Sequence, residues 1–294
     1  MRGTPLLFAL LVSATALLLI PVVEPGPHPA AVPSTQPAAQ QPTPAAPVET
    51  SVAPPPPPAL PAPGRGARTL QAAPVQLANQ GYWSWALLSR GTGQISGSTN
   101  LGSRSDTASM IKVWIAADYL RRAGDAVPAA RQRQLSIMIR DSDNAAASEL
   151  HRANGGTTSI QRMIGTCGLT DSAPNSVGSW STTMMSPRDA VRLGHCLATG
   201  RAAGPRWTPW LLAEMRQIRG AGRFGIIEAF GGEVAASIAY KNGWIARKDG
   251  KWHIACLAIG ADWILSVMAV YPAGLGRGYG AATCRRVAEQ LATG

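Results

Sequence analysis

Apolar and polar positions recur with two different periods along this chain. Residues 82–88, Tyr-Trp-Ser-Trp-Ala-Leu-Leu, form a short aromatic and leucine-rich run closed by Arg90-Gly91-Thr92-Gly93. That pattern predicts a strand, a hairpin turn and a return strand from Gln94. After a turn-rich stretch, residues 107–122 place Met110, Ile111, Trp114, Ile115 and Ala117 over much of a helical circumference, and Gly124 follows. This predicts a buried central helix, capped by Asp106 or Thr107. Helical spacing or start signals then recur at 129–140, 145–152, 159–167, 186–199 and 209–218. The clearest is Ser186-Pro187-Arg188-Asp189, a cap, a first-turn proline and an acidic third position. Beyond Gly222 the period returns to strands at 236–244, 252–259 and 264–271, with a last helix at 281–292. Strands at both ends and helices between predict an α+β domain. Its antiparallel sheet comes from both ends of the domain, with flanking helices and an inserted all-helical lobe.

Two segments before residue 67 follow neither pattern. Residues 5–23 are almost continuously apolar behind Arg2, as in a secretory signal peptide or a signal anchor. Residues 24–66 hold 15 of the 24 prolines, including the run Pro54–Pro58. Such a segment carries no core-forming pattern and is expected to be an extended spacer. The expected organisation is therefore 1–23 signal or anchor, 24–66 Pro/Ala-rich disordered linker, and 67–294 folded domain. Export to an extracytoplasmic site follows, whether secreted, in the cell wall or held to the membrane.

The four cysteines, Cys167, Cys196, Cys256 and Cys284, form no CxxC pair. An even count behind an export signal points to two disulfides. Three connectivities are open; Cys167–Cys196 with Cys256–Cys284 is favoured because each would close within one half of the fold. The formal charge of +11 comes almost wholly from scattered arginines. No basic block, RNA-binding aromatic signature or zinc-finger spacing accompanies it, so no nucleic-acid partner is expected. A basic surface suits anionic wall polymers or a membrane.

The chain has only four lysines, and two lie in motifs. Ser109 and Lys112 are three apart at the start of the central helix, where a hydroxyl and an amine share one face. Burial disfavours the protonated amine, so the lysine can activate the serine as a nucleophile. Ser142-Asp143-Asn144 reads alone as a loop with a helix cap. Lys241-Asn242-Gly243-Trp244 reads alone as the end of an apolar strand.

In that order, S-x-x-K, S-D-N and K-x-G form the motif set of the penicillin-binding proteins and class A β-lactamases. Residues 78–294 resemble the actinobacterial serine hydrolases related to class A β-lactamases. The resemblance extends to Gly168-Leu169-Thr170-Asp171, to Ser181-Thr182-Thr183 before Ser186-Pro187, and to the closing strand and helix. It implies a β-lactamase/transpeptidase-like fold and a monomer acting on a β-lactam or peptidoglycan-type peptide, with no metal or organic cofactor. Ser109 would form the acyl-enzyme and Lys112 would take its proton. Ser142 would pass a proton to the leaving nitrogen, and Lys241 would hold Ser142 and attract a substrate carboxylate. Asn144 would bind the substrate amide, with Asn242 and Gly243 in the substrate strand. The backbone N–H groups of Ser109 and Trp244 would form the oxyanion hole.

The departures shape the expectation. Class A enzymes use a loop glutamate for deacylation, whereas between Glu149 and Glu214 this chain has no glutamate, only Asp171 and Asp189. Asn242 stands where a hydroxyl residue is usual, and the 33 residues from Ser109 to Ser142 leave out a helical hairpin, opening the cleft. Weak or altered deacylation is expected. The alternative is a catalytically degenerate wall-binding or regulatory module on the same fold. Gly276-Arg277-Gly278-Tyr279-Gly280 resembles a dinucleotide fingerprint, but no strand or acidic partner follows it. His151, His195 and His253 are isolated. Trp83, Trp85, Trp114 and Trp263 read as core, while Trp207, Trp210 and Trp244 are candidates to line a groove.

Overall fold

Strands form from the two ends of the domain and meet in the middle of one sheet. In the computed structural model, residues 69–175 and 178–293 are described; the expectations for residues 1–23 and 24–66 lie outside them. The strands are β1 (Thr69–Leu70), β2 (Tyr82–Ser89), β3 (Ile95–Gly97), β4 (Ser105–Asp106), β5 (Met184–Met185), β6 (Ala239–Ala246), β7 (Lys251–Ile259), β8 (Trp263–Pro272) and β9 (Ala292–Thr293). The main sheet is antiparallel with five strands in the order β3-β2-β8-β7-β6. Two two-stranded pairs complete the set: β1 with β9, Thr69 opposite Thr293, and β4 with β5, Ser105 opposite Met185.

The helices are α1 (Lys112–Ala123), α2 (Ala129–Arg140), α3 (Asn144–Ala153), α4 (Thr157–Cys167), α5 (Pro187–Ala198), α6 (Thr208–Arg216), α7 (Gly232–Ser237) and α8 (Gly276–Leu291). α5 packs on one face of the sheet, where Gly194 lies against Ile264 and Leu257. α8 packs on the other, where Gly280 lies against Ile254 and Tyr271. The helices α1 to α4 and α6 form the inserted lobe, with α1 at its centre: Val113, Trp114, Ile115, Ala116 and Leu120 are all buried. Both favoured disulfides are present, Cys167–Cys196 tying α4 to α5 and Cys256–Cys284 tying β7 to α8.

Three boundaries differ from expectation. The helix expected from 107 opens as a 3-10 turn, Ala108–Ile111, and becomes α-helical at Lys112. Neither expected cap acts, because Thr107 makes no side-chain cap bond and Asp106 is buried in a pair with Arg247 at 2.9 Å. The strand expected from 236 begins at Ala239, because residues 236–237 end helix α7, and α8 begins five residues earlier than the expected 281, at Gly276. The C-terminus of α1 is where it was expected, at Gly124, which adopts φ 59°.

Candidate active site

The site lies where the start of α1, the α2–α3 turn and the edge strand β6 converge. Ser109 lies in the 3-10 turn Ala108–Ile111, and Lys112, three residues on, opens α1; the bonds Lys112 Nζ makes go to Ser142 and Asn144. Ser109 is half-buried, whereas Lys112 and Lys241 are wholly inaccessible to solvent. Two non-glycine residues hold left-handed backbone here: Ala108 (φ 42°), just before Ser109, and Ser142 (φ 60°). Such strain persists only where surrounding structure imposes it, and it concentrates at working sites.

The surroundings are identifiable. Asp143 caps α3 by accepting from Ala146 N–H at 2.7 Å. Upstream, Arg140 donates from Nε and Nη2 to Glu214 at 2.6 and 2.5 Å, and Ser136 donates to the same carboxylate at 2.6 Å. Arg219 donates to Asp141 at 2.6 Å. The turn carrying Ser142 is thus fixed from both sides.

Both buried lysines point at this turn. Lys112 Nζ donates to Ser142 O at 2.5 Å, to Asn144 Oδ1 at 2.7 Å and to Ser142 Oγ at 3.2 Å. Lys241 Nζ donates to Ser142 Oγ at 3.0 Å and to Asn242 O at 3.2 Å. Burial pushes the Lys112 amine down to about 7, with the Asp143 carboxylate partly opposing it. Burial, reinforced by the charge of Lys112, pushes Lys241 well below its ordinary value. One hydroxyl therefore bridges two amines that resist holding two positive charges at once.

Gly243 sets how close β6 comes to the nucleophile. A Cβ there would stand 2.2 Å from Thr107 O and 2.8 Å from both Ser109 N and Met110 N. Only a residue without a side chain lets the strand backbone reach Ser109. Strand alternation gives Lys241 and Gly243 the face toward Ser109 and leaves Asn242 out of phase. Asn242 is buried, with Nδ2 donating to Gly222 O at 3.0 Å and to Phe224 O at 2.7 Å. The expected substrate contact through Asn242 is corrected accordingly: its amide braces the 220–224 turn behind the strand. The Trp244 ring borders the site, 5.7 Å from Lys241 Nζ, and packs edge-on against Phe224. Trp207 lines no groove. It is buried and donates from Nε1 to Gly124 O at 2.7 Å, closing the end of α1.

The structure also brings in Trp180, which sequence reasoning missed. Its ring centroid lies 4.8 Å from Lys112 Nζ, and its Nε1 donates to Ser148 Oγ at 3.2 Å. Its one sequence signal was adjacency to Ser181-Thr182-Thr183. The two acids between Glu149 and Glu214 are both engaged elsewhere. Asp171 pairs with Arg188 at 2.7 and 2.9 Å and accepts from Ser186, while Asp189 accepts from Asp171 N and Ser172 Oγ and pairs with Arg192.

A mixed helix and sheet fold with a serine-lysine start to its central helix defines a class, the β-lactamase-like serine hydrolases. Residues 131–293 match the model of the "Beta-lactamase enzyme family", more than half of the chain, and the protein belongs to that family. The fold is similar to a β-lactamase from Chitinophaga pinensis at 17% identity and TM-score 0.59, covering 71% of this chain and 92% of that one. It is also similar to a β-lactamase from Xanthomonas campestris, at 18% identity and TM-score 0.56, covering 72% and 92%. A class A β-lactamase from Mycobacterium abscessus aligns at 17% identity and TM-score 0.54, covering 71% and 93%. Among curated proteins, none matches the chain.

Proposed function

We propose that this serine hydrolase is exported and is acylated at Ser109 by a β-lactam or a peptidoglycan-type peptide, and that it deacylates weakly. The observation that carries the reading is the convergence of Lys112 Nζ and Lys241 Nζ on Ser142 Oγ, at 3.2 and 3.0 Å. A neutral Lys112 amine takes the Ser109 proton as the oxygen adds to the amide carbon. The oxyanion is met by the N–H groups of Ser109 and Trp244, which Gly243 allows to approach. The C–N bond then breaks, and a proton passes through Ser142 to the leaving nitrogen while Lys241 holds that hydroxyl and attracts the substrate carboxylate. Asn144, exposed at the start of α3, receives the substrate amide.

Weak deacylation is supported by the engagement of Asp171 and Asp189 with arginines and backbone, which removes them as water-activating bases. Export is supported by the apolar residues 5–23 and by the two disulfides, which persist in oxidising compartments. Among the described residues no helix is long and apolar enough to cross a membrane. The 24–66 segment would then give the domain reach across a wall layer, from a cleaved or anchored N-terminus. The test is labelling of the purified protein with a fluorescent penicillin. Wild type should carry a covalent label and Ser109→Ala none. Equal labelling of both would overturn the assignment of Ser109, and tight reversible binding without any label would favour the wall-binding module instead.

A further inference from the structure

Lys112 meets two chemically different surroundings. On one side its donors converge on Ser142 O, Ser142 Oγ and Asn144 Oδ1. Another flank is covered by the Trp180 indole at 4.8 Å. The indole's single polar atom turns away, donating to Ser148 Oγ in α3, so the amine faces a hydrocarbon ring. Such a face attracts a cation through its π-electrons but offers water no ordinary hydrogen-bond partner.

The ring is held in that place. Its 3-10 turn, Trp180–Thr182, is tied to the start of the nucleophile turn by Thr107 N–H donating to Thr183 O at 3.0 Å. Arg247 ties the same turn to the sheet, donating to Ser181 O and to Asp106 Oδ2, both at 2.9 Å. Trp180 is thus anchored through α3, through the Thr107 backbone and through Arg247, the residue after β6. A loop residue fastened at three places over the candidate base serves a positional purpose.

We propose that Trp180 is a positioning residue that shields the acyl-Ser109 ester from water on the Lys112 flank and so sets how long the acyl group stays attached. The proposal rests on acylation at Ser109 as argued above. Deacylation needs only water. Its oxygen adds to the ester carbon while a proton passes to the neutral Lys112 amine. The bond from that carbon to Ser109 Oγ then breaks, and the proton returns from Lys112 to the serine oxygen. The indole covers one flank of the amine at 4.8 Å, and it offers no acceptor to orient a water there.

The test uses the full chain as wild type, Trp180→Phe, Trp180→Gln and Trp180→Ala, each labelled with fluorescent penicillin and freed of excess reagent. Loss of label is followed over time, and the rate of labelling is measured against pH. The Gln and Ala variants should release label at least about tenfold faster than wild type, and Phe should stay within about threefold of it. The pH profile separates shielding from mere support of the fold. The neutral amine is the base, so labelling by wild type should rise with pH through about 7. Water admitted beside Lys112 relieves its burial and raises its pKa, so the rising limb should move to higher pH in Gln and Ala but not in Phe. The Gln side chain is long and polar, so it carries the test if Ala fails to fold. Unchanged label lifetimes in Gln and Ala overturn the proposal. A wild-type chain that takes no label at all overturns the acylation reading on which it stands.

Discussion

At the scale of single residues, the site is governed by two lysines that share one hydroxyl inside a buried space. Lys112 and Lys241 are both wholly buried, and Ser142 Oγ lies 3.2 and 3.0 Å from their amines. Desolvation favours the neutral amine, and each charge opposes the other. This has a consequence for stability as well as for chemistry. Below about 7 both the folded and unfolded chains hold Lys112 protonated, and the cost of burying that charge is fully present. Between about 7 and the ordinary value of 10.5 the unfolded chain binds more protons, so this contribution to stability rises with pH. Comparison with Lys112→Met cancels the groups that do not feel Lys112, whereas Lys241 is released from the opposing charge in the variant. In urea unfolding, the stability difference should move toward wild type by about 2 kcal/mol or more between about pH 6.5 and about pH 9.5. A difference that stays constant across that range would mean that Lys112 titrates as an ordinary exposed lysine. Labelling by penicillin should rise through the same pH region, because the neutral amine is the active form.

At the scale of elements, the geometry depends on how closely β6 and the α2–α3 turn approach the start of α1. Gly243→Ala places a methyl group 2.2 Å from Thr107 O, and that backbone cannot step aside as a flexible side chain could. We expect a loss of about 2 kcal/mol or more in unfolding free energy and at least about a hundredfold slower labelling, read by denaturant melts and label kinetics. Glu214→Ala removes a buried carboxylate from Arg140 and Ser136, leaving the turn before Ser142 unbraced. About 3 kcal/mol of stability should be lost, measured by the urea midpoint. These contacts show what could be read in advance. S-x-x-K is a local relation across one turn, S-D-N spans the α2–α3 turn and the first residue of α3, and K-x-G lies on β6, so each motif was legible along the chain before the fold brought Ser142 to both lysines. The five-stranded sheet was legible because its apolar runs come in strand-length pieces at both ends. Asn242 was misplaced because motif position does not say which face of an edge strand a side chain takes. Trp180 was missed because its place over Lys112 comes from tertiary anchors at Thr107, Ser148 and Arg247, remote in sequence from one another. The 3-10 start of α1 was unforeseen for a similar reason: Asp106, a ready cap, is drawn instead to Arg247 and His253.

At the scale of the whole molecule, two disulfides fasten the layers that enclose the site. Cys167–Cys196 joins the helical lobe to α5 across a sequence separation of 29, and Cys256–Cys284 joins the sheet to α8 across 28. Loops of this size contribute about 3 kcal/mol each by restricting the unfolded chain. Reduction should therefore lower the thermal midpoint of the isolated protein, followed by circular dichroism with and without reductant; an unchanged midpoint would mean the bridges contribute nothing to stability. A fold stabilised this way suits an oxidising space outside the cytoplasm, where the substrates proposed here are met. On the proposed function, Ser109 takes up an acyl group that water removes slowly. The most direct measurement is the intact mass of the full chain at intervals after mixing with a penicillin, with the modified peptide then sequenced. The expected result is a mass increase equal to one whole penicillin, located at Ser109 and persisting after free penicillin is removed. A chain that never gains mass, or one that gains it at a residue other than Ser109, would rule out Ser109 as the acylated nucleophile.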